Sequence, residues 1–271
     1  MQIELLDLPK IPSIKSPLGY PGGKRRSWNL LSEHLPRNLT HLVSPFMGGG
    51  SIELACTGKN IRVQGSDNFE PLINFWQNFL DDSKAVIDLV CSMYPLTFEQ
   101  RLYYHSVKLE KNSAHPDGSI ITDLERAAIY LCVNKQSFRN WTFAARPSRY
   151  EVPVTIESFR KWETWQNAYL EVTCSDYVPI IENADGRFMY LDPPYVGKEE
   201  YYGVYEDESE FDHYYLAELL HKTSSKWMMS YGDHELIRKL YKKFTILEPK
   251  WKYTVRRNSD STSQELLILN L

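Results

Sequence analysis

Cysteine is sparse: four residues in 271, Cys56, Cys91, Cys132 and Cys174, far apart and without a C-x-x-C pair. That spacing argues against a zinc knuckle or a disulfide framework and leads us to expect a reducing compartment. The seven histidines form no H-E-x-x-H, so no dedicated metal site is expected. No run of about 18 apolar residues occurs, which argues against a membrane span. The N-terminal stretch, Met1 to Lys10, has no basic start followed by an apolar segment, and a secretory signal is not expected. There is no internal repeat and no low-complexity tract. An excess of positive charge is also missing, since the formal net charge is −4. That argues against a uniformly basic coat but leaves local basic patches open.

What is abundant is aromatic: 18 tyrosines and 7 tryptophans, material for a Tyr-rich core or for stacking surfaces. Apolar segments at 40–46, 61–67, 171–174, 187–191, 226–231 and 265–270 read as strands. Helical patterns fall between them, over Ser27 to His34, 51–58 (closed by Gly58), 71–94 with Pro71 in its first turn, and two late helices. One late helix is expected to start at "SEFD", with Ser209 and Asp212 at capping-box spacing, the other at Asp233. Strands alternating with helices predict an α/β fold, a mostly parallel sheet with helices on both faces. Residues 95–170 are polar, aromatic and helix-rich. We read them as an inserted lobe between two parts of one core, 1–94 and 171–271. In such sheets ligands sit beyond the carboxyl ends of the strands, so loops that follow strands carry the interest.

The first such loop is "SPFMGGGS", 44–51, which opens a helix. Glycines let the backbone approach a ligand closely. Asp67, at the end of the next strand, can accept two hydrogen bonds from a ribose diol. The G-x-G-x-x-G fingerprint is incomplete, because Gly48 and Gly50 fit while Glu53 takes the third place, and there is no phosphate-cradling G-x-x-x-x-G-K-[ST]. The loop therefore favours a nucleoside without a pyrophosphate, and S-adenosylmethionine is such a ligand.

The second loop is "YLDPPYVG", 190–197, where an apolar strand ends in a carboxylate, two prolines and a tyrosine. An exocyclic amine on a nucleobase is a poor nucleophile because its lone pair is delocalised into the ring. A site that alkylates it must accept hydrogen bonds from its two N–H groups. Asp192 can take one and the carbonyl of Pro193 the other. Pro194 holds the turn extended, and neither proline brings a competing donor. Tyr195 offers a flat face to a base and π electrons to a nearby sulfonium. A base paired in a duplex must leave the stack to reach such a pocket.

With these pieces in order, the sequence resembles the Dam-like, D12-class DNA adenine-N6 methyltransferases of the α group. The resemblance runs through "LGYPGGK" (18–24), "SPFMGGGS", "GSDNFEPLINFWQ" (65–77), "SDY" (175–177), "YLDPPY", "KWMMSYGD" (226–233) and "RRNSDSTSQELLILN" (256–270). It implies a Rossmann-like S-adenosylmethionine-dependent methyltransferase sheet with an inserted, mainly helical DNA-recognition lobe. It implies Asp192, Pro193, Pro194 and Tyr195 as catalytic residues in a direct methyl transfer without metal. Around the cofactor it implies Tyr20, Lys24, Phe46, Gly48, Gly49, Gly50, Ser51, Asp67, Asn68, Asp176, Tyr177 and Asp192, with Lys24 also near DNA. Double-stranded DNA would be the partner, in the cytoplasm of a bacterial, archaeal or phage-infected cell. A monomer is the default, with or without a cognate restriction endonuclease, and GATC is the target suggested by resemblance alone. RNA adenine, cytosine N4, or DNA binding without catalysis are the competing readings. The sequence departs from the family pattern at Tyr231, where an Asn is common, and in "KQSFRNWTF", which lacks the usual Asn-Gly turn.

For DNA contact the informative stretch is 126–150, which has no Asp or Glu. It interleaves Arg126, Lys135, Arg139, Arg146 and Arg149 with Phe138, Trp141, Phe143 and Tyr150. Arginine reads guanine edges and an aromatic wedge can enter a duplex, while Asn134 and Asn140 can read adenine or fill a vacated place. A second basic run, Arg238 to Arg257, is a candidate for phosphate contact. The acidic run from Glu199 to Asp212 is expected to be a loop near the active site.

Overall fold

The computed structural model describes residues 15–137, 142–144, 154–197, 211–249 and 265–271. Seven strands form one sheet in the order β3-β2-β1-β4-β5-β7-β6. They are β1 (His41–Ser44), β2 (Arg62–Asp67), β3 (Leu170–Cys174), β4 (Phe188–Leu191), β5 (Trp227–Gly232), β6 (Thr245–Leu247) and β7 (Glu265–Asn270). The first five pair in parallel, and β7 inserts antiparallel between β5 and β6. The α/β expectation and its mostly parallel sheet are what the chain adopts, completed by β6, which the sequence reading passed over.

From β1 the chain steps outward to β2 and β3, then returns to lay β4 and β5 on the other side of β1. The order therefore reverses between β1 and β4, the place where open α/β sheets bind ligands. The loops after these two adjacent strands are the glycine loop and the D-P-P-Y turn.

Alternation along β4 explains why the strand is apolar throughout. Phe188 and Tyr190 belong to one core cluster, Met189 and Leu191 to the other, one on each face of the sheet. The first face is covered by α2 (Ser51–Thr57), α3 (Glu70–Asp81), α4 (Ser83–Met93) and α6 (Asp123–Gln136). The second carries α8 (Tyr177–Glu182), α9 (His213–Lys222) and α10 (Glu235–Leu240). Helices α1 (Trp28–Glu33), α5 (Phe98–Val107) and α7 (Ile156–Arg160) complete the described set. Within 95–170, α6 packs on α3 and α4, and its residues Ala127 to Val133 are buried in the same cluster as the sheet.

Three local expectations change. The helix over 71–94 is two helices, because Asp82 leaves helical geometry and caps α4 by accepting from the Ala85 N–H at 2.9 Å. Asp212 is itself the N-cap of α9, accepting from the Tyr215 N–H at 2.8 Å, while Ser209 lies outside the described residues. The last helix starts after His234, and Asp233 instead pairs with Arg238 at 2.6 Å.

Candidate active site

A cleft with about 1050 Å³ of empty space, open mouth included, lies at the β1/β4 reversal. Its walls come from the 20–24 segment, the glycine loop, Asp67 and Asn68 after β2, Asp176 and Tyr177, and Asp192 and Pro194 after β4.

The glycine loop is shaped by contacts that exclude side chains. A Cβ on Gly49 would stand 2.5 Å from Cβ of Tyr20, and one on Gly48 would stand 2.8 Å from its ring. Gly48 and Gly50 have φ of +49° and +69°, which favours glycine at both. Gly48, Gly49 and Ser51 line the cleft. Gly50, expected beside the cofactor, turns away: a Cβ there would meet Trp76 at 2.9 Å, so its role is the turn into α2. Asp67 fixes the loop from below, accepting from the Gly48 N–H at 2.9 Å and the Phe69 N–H at 3.1 Å. Its carboxyl is raised by burial, against those two N–H groups. A carboxylate with two acceptor positions in use retains two more for a ribose.

At one end of the cleft the rings of Phe46 and Tyr177 stack at 5.2 Å, and Phe211 closes against both at 5.8 and 5.4 Å. A base between two rings needs roughly twice the 3.5 Å contact distance, so this pair offers an outer face and not a sandwich. Phe211 and Asp212 also line the cleft, which fits the expectation that the 199–212 run lies near the active site, although neither was singled out as a site residue. Residues 199–210 lie outside the described residues. Phe211 sits beside an acidic run that masked it. Asp176 lines the cleft and also caps α8, accepting from the Val178 N–H at 2.8 Å.

At the other end is Asp192. Lys24 Nζ lies 3.0 Å from each of its oxygens and donates also to the Gly22 carbonyl at 2.8 Å. Glu265 stands 4.0 Å from the same ammonium. The Tyr195 hydroxyl donates to Asp192 at 3.2 Å. Burial pushes the Asp192 carboxyl up to about 6, with Lys24 as the main opposing influence. The Lys24 side chain is 1% exposed and its ammonium is committed to Asp192, so it lines the cleft and does not face outward. Tyr195 and Pro193 are buried. The Tyr195 ring stacks on Tyr231 at 5.6 Å, the Lys24 ammonium lies 5.1 Å from its centroid, and Tyr231 in turn meets His213 Nδ1 at 2.5 Å. The departure at Tyr231 thus supports the D-P-P-Y tyrosine from below. Glu53, on the first turn of α2, lines the cleft with a carboxylate bonded to Ser44 Oγ at 2.6 Å, and burial pushes it up to about 7.

These pieces join a carboxylate-ended turn and a glycine loop in one cleft. A family model described as D12 class N6 adenine-specific DNA methyltransferase matches residues 20–255. The chain belongs to this family. Among its relatives, the Type II methyltransferase M1.LlaDCHI of Lactococcus lactis subsp. cremoris is 25% identical over 275 residues, covering 93% of each chain. Type II methyltransferase M.MjaIII of Methanocaldococcus jannaschii is 25% identical over 289 residues, covering 95% of this chain and 99% of the relative. Type II methyltransferase M.CviBI of Paramecium bursaria Chlorella virus NC1A is 21% identical over 262 residues, covering 91% of this chain and 94% of the relative.

Of the residues expected at DNA in this D12 chain, Phe138, Arg139, Asn140, Trp141, Arg146 and Arg149 lie outside the described residues. Asn134 is a correction. It is fully buried, its oxygen accepting from the Gly19 N–H at 3.1 Å and its amide donating to the Gly19 carbonyl at 2.7 Å and Thr142 at 2.8 Å. It pins the segment that carries Tyr20 and Lys24. Arg126 is likewise internal, held by Glu70 at 2.7 Å and Asp123 at 2.9 Å. Arg238, from the second basic run, is paired with Asp233 and Glu248. Lys135 is half-buried, and burial together with Lys161 lowers its ammonium to about 8. No metal-binding cluster of His, Cys, Asp and Glu exists among the described residues, and no described helix is long and apolar enough to cross a membrane.

Proposed function

We propose that this methyltransferase moves the methyl group of S-adenosylmethionine to N6 of an adenine turned out of a DNA duplex. The observation that carries the reading is the meeting of Asp192 and the glycine loop in one cleft at the sheet's reversal point.

The chain's residues fit the donor on three counts. Gly48 and Gly49 line the cleft with bare backbone, which a ligand can approach closely. Phe46, Tyr177 and Phe211 present apolar rings for an adenine, with Asp67 beside them for the ribose hydroxyls. Acidic groups, Glu53 and Asp192, suit a ligand of net positive charge. When bound, S-adenosylmethionine supplies an electrophilic methyl group on a sulfonium.

On the acceptor side, the Asp192 carboxylate takes one N–H of the amine and the carbonyl of Pro193 takes the other. Both draw the nitrogen lone pair out of conjugation toward the methyl group. Lys24 keeps Asp192 ionised and aimed, and Tyr195, bonded to the same carboxylate, holds the turn. Because Asp192 lies inside the cleft, a paired base must unstack to reach it. Arg139, Arg146, Arg149, Lys135, Phe138, Asn140 and Trp141 would meet the duplex. The names of the relatives support a place in a Type II restriction-modification system, where the methyl mark shields a site from a cognate endonuclease.

Long-read sequencing of DNA from a methylation-deficient host that expresses this chain tests the reading. N6-methyladenine in one sequence context is the expected result. Unmodified adenine alongside soluble protein that binds the donor would overturn it.

A further inference from the structure

Glu53 lines the cleft but takes no part in the proposed transfer itself, and unlike Asp176 and Asp212 it is not a helix cap. It is 2% exposed, and no cation pairs with it among the described residues. Its hydrogen-bond partner is the hydroxyl of Ser44, at the tip of β1, and it stands close enough to Asp192 for the Asp192 charge to raise it further. The nearby ammonium, Lys24, is committed to Asp192. A buried carboxylate with no cation is costly, and it either keeps a proton or waits for a positive partner. Burial holds Glu53 at about 7, on the border between the two. The group also opens into a ligand cleft.

Position narrows the partner. The nucleoside-like end of the cleft is marked by Phe46, Tyr177, Phe211 and Asp67. Glu53 belongs to the other end, with Ser44 and Asp192. An amino-acid headgroup reaching that end would bring an ammonium to meet it. We infer that Glu53 receives the α-ammonium of the donor's methionine moiety and selects amino-acid-bearing nucleosides over those without the amine. The inference rests on S-adenosylmethionine being the donor. Ser44 orients the carboxylate by donating to one oxygen and leaving the other for the ligand.

Calorimetric titration of two thioethers decides the matter: S-adenosylhomocysteine, and the same molecule without its α-amino group. Neither carries a sulfonium. The wild-type chain should prefer the amine-bearing ligand by about tenfold or more, the scale of one charge-assisted hydrogen bond. Glu53→Gln should erase that preference while holding the amine-free ligand within about twofold of wild type. Glu53→Met, which fills the same space, should give the same split and guards against a fault specific to Gln. Equal loss for both ligands, or a preference that survives substitution, would overturn the inference. So would a loss confined to S-adenosylmethionine, titrated alongside the two thioethers, which would assign Glu53 to the sulfonium. Failure of the wild-type chain to bind either thioether would instead remove the donor reading itself.

Discussion

The Lys24 ammonium lies 3.0 Å from both carboxylate oxygens of Asp192, across 168 residues of sequence. One group comes from the segment before the sheet and the other from the tip of β4. The pair therefore forms only when the chain has wound back to lay β4 against β1. It couples assembly of the sheet to assembly of the acceptor site. Asp192→Ala should abolish methyl transfer and leave donor binding within about tenfold if, as proposed, the carboxylate acts on the target amine. Parallel loss of both, measured by single-turnover transfer and calorimetry, would contradict that role.

In the proposed mechanism Asp192 accepts an N–H as a carboxylate, and burial sets its carboxyl at about 6 against the pull of Lys24. Transfer by the wild-type enzyme should therefore decline as pH falls through about 6. Lys24→Met removes the main influence lowering that value, so the acidic limb of the pH–rate profile should move to higher pH. A limb that stays in place would mean that another group controls it.

Glu53 gives a stability prediction with the opposite sign from an ordinary ion-paired carboxylate. Burial raises it from 4.5 to about 7, so between those values the folded chain holds a proton that the unfolded chain has lost. Stability then falls as pH rises through that window. Glu53→Gln cannot ionise and escapes the penalty. Its stability should match wild type near pH 4.5 and exceed it above pH 7 by about 3 kcal/mol at most, with a correspondingly higher melting temperature. Thermal melts across that range check it.

Tyr231 stacks on Tyr195 at 5.6 Å and its hydroxyl meets His213. Tyr231→Phe keeps the stack and loses the hydrogen bond, at a cost of about 1 kcal/mol with transfer largely retained. Tyr231→Ala leaves a void beneath Tyr195, costs about 3–5 kcal/mol, and should slow transfer beyond what the loss of folded protein explains. Equal transfer rates per folded molecule would show that Tyr195 needs no support.

Much of the fold was legible because β strands and their loops announce themselves locally. An unbroken apolar run marks β4, and glycines mark the loop after β1. Burial and long-range partners were less visible. Nothing in "VNKQ" distinguishes an asparagine that reads a base from Asn134, which closes two hydrogen bonds on Gly19, 115 residues away. Glu53 interrupted a fingerprint and so registered as a defect, while its carboxylate lines the cleft. Phe211 was lost beside acidic neighbours for the same reason: composition averages over a residue whose place is set by Phe46 and Tyr177.

Arg126 and the arginines that follow it separate cleanly by experiment, although they share one basic stretch. The guanidinium of Arg126 is 2% exposed and bonded to Glu70, Asp123, Asn74 and the Leu109 carbonyl. Arg126→Met loses these hydrogen bonds, while Glu70 and Asp123 stay in contact with water, and should cost about 1–3 kcal/mol of stability. The salt dependence of DNA affinity should not change in whatever protein remains folded, because no phosphate contact is lost. Arg139→Ala and Arg146→Ala should do the reverse. Melting temperature should hold, while DNA recognition weakens or relaxes by about 1–3 kcal/mol for a bidentate base contact. Melts together with binding isotherms at several salt concentrations distinguish the two classes. A shallower salt slope for Arg126→Met would place that residue at the DNA after all, and unaltered site preference in both alanine variants would move recognition out of the 138–150 stretch.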